Sequence, residues 1–497
     1  MDKSVLSIVE AVKVNAELTP DKLAVGDKKN KATYAEFWTM IQKAATFFKA
    51  NGVKKGDMVV VRGAQKLEFV VGILGIHLAG GAVCPTEKAI KDDRILEIMN
   101  FVDSNIYLAD KAVKSDSVNN ISMKEMFAVV TDENSPIEEF DFPKGDSISE
   151  ILFTTGTTGK SKGIEVTFAC DIVISQNVMD SVDMSKDDVE LLTSPINHSL
   201  AIRRFYGAMY NGSTTILTDG IKFVEDFFKL LDNYKVTAIT FVPAILEQVL
   251  KFAKDRFATY DSQFNYIQLG SAPLSEANKE LLISMFPTVR LYNTYGATES
   301  GCTVILEFSK YFDKYKCIGR TTVNTEILFV DDDRNVVEAS PENPGFLAFR
   351  GGMNMKGYYN EPELTAEVRS EDGVIYTNDM GYIGDDGLVY LLGRKGDVIN
   401  MGGIKIAPTE IEEVVMAHEM VKDCACIPIP DEITGEAPKL FVALNDGYEF
   451  DQKALSKFML EKLESLKVPK VFEVIDEIPR TFNGKIIRKQ LKELNQQ

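Results

Sequence analysis

The residues best suited to chemistry sit together in Phe153-Thr154-Thr155-Gly156-Thr157-Thr158-Gly159-Lys160-Ser161-Lys162-Gly163. Three glycines, four threonines and two lysines fall within these eleven residues. Glycine permits φ > 0 and lets backbone N–H groups approach an anion closely. Threonine hydroxyls add donors and lysine adds charge, so the stretch reads as a cradle for a polyphosphate. The bland reading is an ordinary Gly/Thr turn. Gly159-Lys160-Ser161 imitates the end of a P-loop, but Thr154 stands where that motif needs its first glycine. The residues after Ser161 are β-branched, whereas a P-loop runs into a helix. A nucleotide held here is therefore held differently from one in a P-loop NTPase.

Four further groups can do chemistry: Tyr295-Gly296-Ala297-Thr298-Glu299, Tyr376-Thr377-Asn378-Asp379, Gly393-Arg394, and Pro479-Arg480-Thr481-Phe482-Asn483-Gly484-Lys485. Each alone reads equally well as a turn or a solvated tail. Cys424-Ala425-Cys426, with His418 nearby, lacks the usual CxxC spacing, and its alternation suits a strand rather than a metal site.

Apolar Ile151-Leu152-Phe153 before the loop and Ile164 to Phe168 after it predict strand, turn, strand. Upstream, Thr33 and Glu36 form a capping box for a helix that Asn51-Gly52 ends. Strand and helix alternate from there to Asp110 and again from Cys170 to Tyr292, the rhythm of parallel sheets with covering helices. From Cys317 to about Leu392, short β-like runs alternate with Gly, Asp and Asn turns, which predicts a small β-barrel or meander. A boundary falls near Gly393-Arg394-Lys395-Gly396-Asp397, and a small α/β unit follows.

At 497 residues the chain exceeds one core. Its net charge of -19 disfavours nucleic acid or an anionic membrane as partner. Six scattered cysteines suit reduced thiols in the cytoplasm. No signal-peptide pattern opens the chain. The longest apolar run, residues 69–84, is too short and Gly-rich to span a bilayer.

Taken together and in this order, the motifs resemble the adenylate-forming superfamily of acyl- and aryl-CoA synthetases, peptide-synthetase adenylation domains and luciferases. The likeness runs over residues 33–485. The family loop is written [ST]SGTTGxPKG. Thr154 to Gly163 matches it, with Thr155 for Ser, Ser161 for Pro, and Lys162 at the family lysine. Without the proline the loop is less restrained. The resemblance implies that Thr154, Thr155, Gly156, Thr157, Thr158, Gly159 and Lys162 hold the ATP phosphates. Ser271, Ala272 and Pro273 line the nucleotide pocket with Asn293, Thr294, Tyr295 and Gly296. It further implies Thr298 at the α-phosphate, Glu299 on Mg²⁺, and Asp379 with Arg394 at the ribose. Asn378 replaces the usual glycine before Asp379. Lys485 matches the catalytic lysine of the C-terminal domain. Gly396 stands at the hinge, where Asp or Lys is usual, and Gly402 and Gly403 would swing beside the thiol channel. The implied fold is α/β: a large N-terminal domain of stacked α/β sheets plus a small β-barrel (1–394), hinged to a small α+β C-terminal domain (395–497).

His198 matches the gate between nucleotide and acid. Arg203 and Arg204 follow it where amino-acid-activating relatives place an aspartate. With Gly270 and Ala297 they would form the acid pocket, and an arginine facing inward would favour a second carboxylate. The alternative is that both arginines are solvated or in salt bridges. The implied reaction joins a carboxylic acid to AMP with release of pyrophosphate, then transfers the acyl group to CoA. A second reading has carrier-protein phosphopantetheine as acceptor, as in D-alanine ligases or stand-alone adenylation domains. A third is a non-catalytic nucleotide sensor, against which the retention of Glu299, Asp379, Arg394 and Lys485 stands.

Overall fold

The structure, a computed structural model, describes residues 5–154, 162–221, 223–272, 274–314, 316–481 and 484–495. The expected capping box is present. Glu36 N–H donates to Thr33 Oγ1 (3.3 Å) and Thr33 N–H to Glu36 Oε2 (2.8 Å), heading the helix Tyr34–Ala50. The apolar run at residues 69–84 forms the helix Leu67–Leu78 and the strand Ala82–Thr86, both of them buried. An all-round apolar helix of that length is a core helix. No described helix is long and apolar enough to cross a membrane.

Two large sheets carry the first four-fifths of the chain. The seven-stranded sheet is ordered Gly357–Tyr358, Lys162–Thr167, Ile148–Thr154, Ala82–Thr86, Met58–Arg62, Ile106–Ala109, Asn119–Ser122. The thirteen-stranded sheet has a parallel half, from Leu23–Gly26 through Thr214–Leu217, Val189–Leu192, Ala238–Phe241 and Tyr266–Leu269 to Arg290–Ala297. Its other half is antiparallel, from Gly301–Glu307 to the edge strand Glu326–Val330. That half holds the short strands of the Gly- and Asp-rich region. Ile399–Met401 opens a separate five-stranded sheet that also contains Val421–Asp431 and Gly435–Leu444.

The helices Phe168–Val182 and Ser199–Asn211 lie between the large sheets. Val178 shares a core with Val166 of one sheet and Val304 of the other. Phe205 packs in a core that contains Val83 and Leu192. The second helix starts at Ser199, where His198 takes extended N-cap geometry. All six cysteines are free and buried.

Candidate active site

The strands Ile148–Thr154 and Lys162–Thr167 form an antiparallel hairpin whose last pair is Thr154 with Lys162. Thr155, Gly156, Thr157, Thr158, Gly159 and Pro273 lie outside the described residues. At the hairpin's far end the Lys162 ammonium sits 5.0 Å from the Tyr358 ring centroid. The Tyr358 hydroxyl donates to Glu299 Oε1 at 2.8 Å. Burial, and next the Glu299 carboxylate, raise the Tyr358 pKa, so the phenol stays a donor. Met355 N–H donates to the Glu299 carbonyl at 2.8 Å. Residues 355–358 thus fix Glu299 by backbone and side chain. A magnesium ion on a triphosphate typically needs only one or two protein carboxylates. Glu299, oriented by Tyr358, fits that requirement.

Glu299 lies in the turn where Arg290–Ala297 doubles back into Gly301–Glu307. The register slips between Tyr295 and Gly296, and a Cβ on Gly296 would sit 2.0 Å from the Gly301 carbonyl oxygen. Only glycine fits there. Such a bulge re-aims the residues beyond it, here Ala297 to Glu299. Tyr295 donates through its hydroxyl to Asp379 Oδ2 at 2.5 Å. Asp379 and Arg394 are direct cross-strand partners, with Arg394 Nε 3.0 Å from Asp379 Oδ1. Burial works against the Arg394 charge, but Asp379 more than offsets it and the guanidinium pKa is raised. Burial, with Asp379 second, also raises Tyr295. Nearby, Ser271 holds φ at 72°, a left-handed conformation that costs a non-glycine residue about 1–2 kcal/mol.

Lys485, almost at the end of the chain, bonds Thr481 through its backbone and lies within the electrostatic influence of this pair. Its ammonium is lowered from the usual lysine range by the protein around it and next by the Arg394 cation, while Asp379 and Asp397 oppose the shift. Its side chain keeps solvent contact. Between the two units, Gly396 has φ +80°. Lys492 donates to the Gly396 carbonyl and to Asp397 Oδ1, each at 2.7 Å. Lys316 pairs with Glu410 across the same junction at 2.7 Å. Gly402 and Gly403 form the two-residue turn between Ile399–Met401 and Ile404–Ile406.

The His198 imidazole lies 3.4 Å from Glu87 Oε1, and burial lowers its pKa against the opposing pull of that carboxylate. The acid-pocket reading of Arg203 and Arg204 needs correction. Both guanidiniums are buried and face protein carboxylates, although Arg203 Nε and Nη2 make no hydrogen bond among the described residues. Arg203 pairs with Glu150 at 2.7 Å and with Asp171, while Arg204 forks onto Glu190 at 2.8 and 2.9 Å. The helix is wedged between two sheets, so neighbouring residues point to opposite sheets, and a buried charge requires a counter-charge. Gly270 does adjoin the gate helix: a Cβ there would be 3.0 Å from Leu200 Cδ1. Ala297 is exposed beside the bulge.

Residues 12–359 match the AMP-binding enzyme family, and residues 410–485 match the AMP-binding enzyme C-terminal domain. The chain belongs to this family. It is 29% identical over 486 residues to a 2-succinylbenzoate–CoA ligase of Geobacillus sp. (strain WCH70), covering 96% of each chain. It is 29% identical over 492 residues to a 4-coumarate–CoA ligase of Vanilla planifolia, covering 93% of this chain and 88% of that one. Its fold is similar to the o-succinylbenzoate CoA synthetase of Bacillus subtilis in complex with the acyl-adenylate intermediate, with TM-score 0.83, 24% identity and 97% of each chain covered. ATP-bound MatB from Rhodopseudomonas palustris superposes at TM-score 0.84, with 22% identity and 97% and 98% covered. The geometry also brings together residues that the motifs do not single out. Tyr358 lies outside the groups singled out for chemistry in the sequence. Glu87 and Lys492 carry no motif at all, and only their distance to His198 and Gly396 reveals them.

Proposed function

We propose that Lys485, Glu299, Thr298 and His198 carry out ATP-dependent ligation of a carboxylic acid to a thiol. The chain is an AMP-forming acid–CoA ligase, making acyl-AMP and pyrophosphate first and the acyl thioester second. The observation that carries this reading is the hydrogen-bonded chain from Tyr295 through Asp379 to Arg394, on the same doubled-back strand that positions Glu299.

The physical problem is anion against anion: a carboxylate must approach the α-phosphate of ATP. In this reading Tyr295 and the Asp379–Arg394 pair hold the nucleoside, and Lys162 with the hairpin holds the phosphates. Glu299 would bind magnesium, which supplies charge neutralisation on the triphosphate. Lys485 bridges carboxylate and α-phosphate as negative charge moves onto the leaving group. Its neighbourhood keeps a cation poised where charge develops, which is where electrostatic stabilisation is most effective. His198, kept mostly neutral by burial, can line the acid's path without attracting its carboxylate.

The second half-reaction needs Lys485 to leave and the Gly402–Gly403 turn to enter. We take residues 395–497 as the unit that turns, with Gly396 as pivot. Buried, unpaired cysteines suit a reducing compartment, and a cytoplasmic location is part of this reading. The test is pyrophosphate exchange into ATP across a panel of carboxylic acids, followed by thioester release with and without CoA. Exchange with one acid class and CoA-dependent release of AMP is expected. No exchange with any acid, while ATP still binds, sinks the reading.

A further inference from the structure

Lys485 does not exhaust the basic motif near the C-terminus. Arg480 and Thr481 of the same motif build the turn that presents it. Arg480 and Ile486 form an antiparallel bridge, and Ile487 N–H donates to the Pro479 carbonyl at 2.8 Å. Beyond that stem, Thr481 N–H donates to the Lys485 carbonyl at 2.8 Å, and Lys485 N–H donates to Thr481 Oγ1 at 3.2 Å. One residue therefore holds the backbone on both sides of the Lys485 side chain. Gly484, just before it, takes φ +83°, and Arg480 Nη1 reaches across the turn to the Gly484 carbonyl at 2.6 Å.

The other edge of the same guanidinium is fastened to the sheet. Arg480 Nε and Nη2 fork onto Asp423 Oδ2 and Oδ1 at 2.8 and 2.7 Å. Asp423 stands near the start of the strand Val421–Asp431, where the register slips between Val421 and Asp423. Ala425 and Ile427, two and four residues on, share a core with Ile478 and Leu491, and Ile486 packs against it. Cys424 and Cys426 lie in the core on the opposite side. Strand alternation thus puts Asp423 on the face that carries the Lys485 turn. The far stem has its own anchor, because Arg488 donates to Glu412 Oε1 at 2.5 Å and to the Cys426 carbonyl at 3.2 Å. The Asp423 and Arg480 side chains are 22% and 37% exposed. A lone exposed ion pair contributes little, but a two-point fork fixes orientation as well as distance. Here the fork leaves Nη1 aimed at the turn.

Given the reading that Lys485 serves adenylation, on which this rests, we propose that Asp423 is a positioning residue for that step. It holds the Arg480 guanidinium across the turn and so sets where the Lys485 ammonium stands when carboxylate and ATP meet. Asp423 touches neither of them and acts only through Lys485.

Comparing the two half-reactions separates position from fold, because the Gly402–Gly403 turn of the thioester step belongs to the same unit. The full chain is assayed for pyrophosphate exchange with acetate, hexanoate, dodecanoate, 4-coumarate and 2-succinylbenzoate. Thioester formation is then followed from CoA and the supplied adenylate of whichever acid wild type exchanges fastest. Asp423→Asn should lower kcat of exchange about 10- to 100-fold, as a displacement of about 1 Å does. KM for ATP and thioester formation should stay within about twofold. Arg480→Lys keeps the charge but loses the fork, and should reproduce this split. In a Lys485→Ala background, Asp423→Asn should change the residual exchange by less than about twofold, because the residue it acts through is gone. Unchanged exchange in Asp423→Asn, equal losses in both half-reactions, or the full loss repeated in the Lys485→Ala background each overturns the proposal. No wild-type exchange with any of the five acids overturns the ligase reading, and this inference with it. Should Asp423→Asn lack the wild-type circular dichroism spectrum, Arg480→Lys carries the same comparison with the same outcomes.

Discussion

Alanine at position 396 tests the pivot with little else disturbed. Gly396 holds φ +80°, and a Cβ there meets no atom of the described residues within 4 Å. The cost of Gly396→Ala is therefore conformational rather than steric. An L-residue in the left-handed region is disfavoured by about 1–2 kcal/mol. That penalty falls on the present arrangement, with Gly396 at φ +80°, and is relieved in any rotated arrangement with negative φ. At about 1.4 kcal/mol per tenfold, the population shifts by roughly 5–30-fold. Adenylation, measured as pyrophosphate exchange, should fall by about that factor. Thioester formation from supplied acyl adenylate and CoA should hold or rise. Lys492→Met, which removes the ammonium from Gly396 and Asp397, should act in the same direction but more weakly. Partly exposed ion pairs contribute about 0.2–1 kcal/mol. Equal losses in both half-reactions, or unaltered adenylation with Gly396→Ala, would refute Gly396 as the pivot.

Lys485→Ala should abolish exchange by about 10²-fold or more yet spare thioester formation from supplied acyl adenylate; parallel loss counts against its role. Tyr358→Phe removes the donor to Glu299 and should raise the magnesium concentration for half-maximal exchange about tenfold, since hydrogen bonds to charged groups contribute about 1.5–3 kcal/mol. An unchanged magnesium titration means that Tyr358 does not orient Glu299. Asp171 is raised to about 8 by burial and next by Glu150, with Arg203 opposing. Its folded pKa exceeds its unfolded value near 4, so the folded state holds the extra proton. Stability is then full below about pH 4 and is lost as pH rises towards 8. Buried His77, lowered to about 4, contributes the opposite slope below about pH 6.5. Glu150, buried beside the same arginine, is raised as well, so the two carboxylates together lower stability as pH rises between 6.5 and 8. Urea midpoints should decline over that window in wild type and less steeply in Asp171→Asn. The same decline in both would show that another group carries it.

Local chemistry was legible in the sequence. Thr33 and Glu36 announced a capping box, the β-branched flanks of residues 154–163 announced a hairpin, and all-round apolarity announced the core helix Leu67–Leu78. These depend on backbone periodicity and neighbouring side chains, which residue order alone dictates. The superfamily likeness was legible too, because Glu299, Asp379, Arg394 and Lys485 keep their order along the chain. What tertiary structure decided was orientation. Two consecutive arginines read alike as letters, yet one bonds Glu150 and Asp171 while the other bonds Glu190. Which way a helical side chain faces depends on what is packed against each side, and here a different sheet lies on each. Glu190, Gln268 and Glu87 carry no pattern, since their partners are distant in sequence and near only in space. Residue order named the reaction; the packing of one buried helix between two sheets decided which carboxylates each arginine meets.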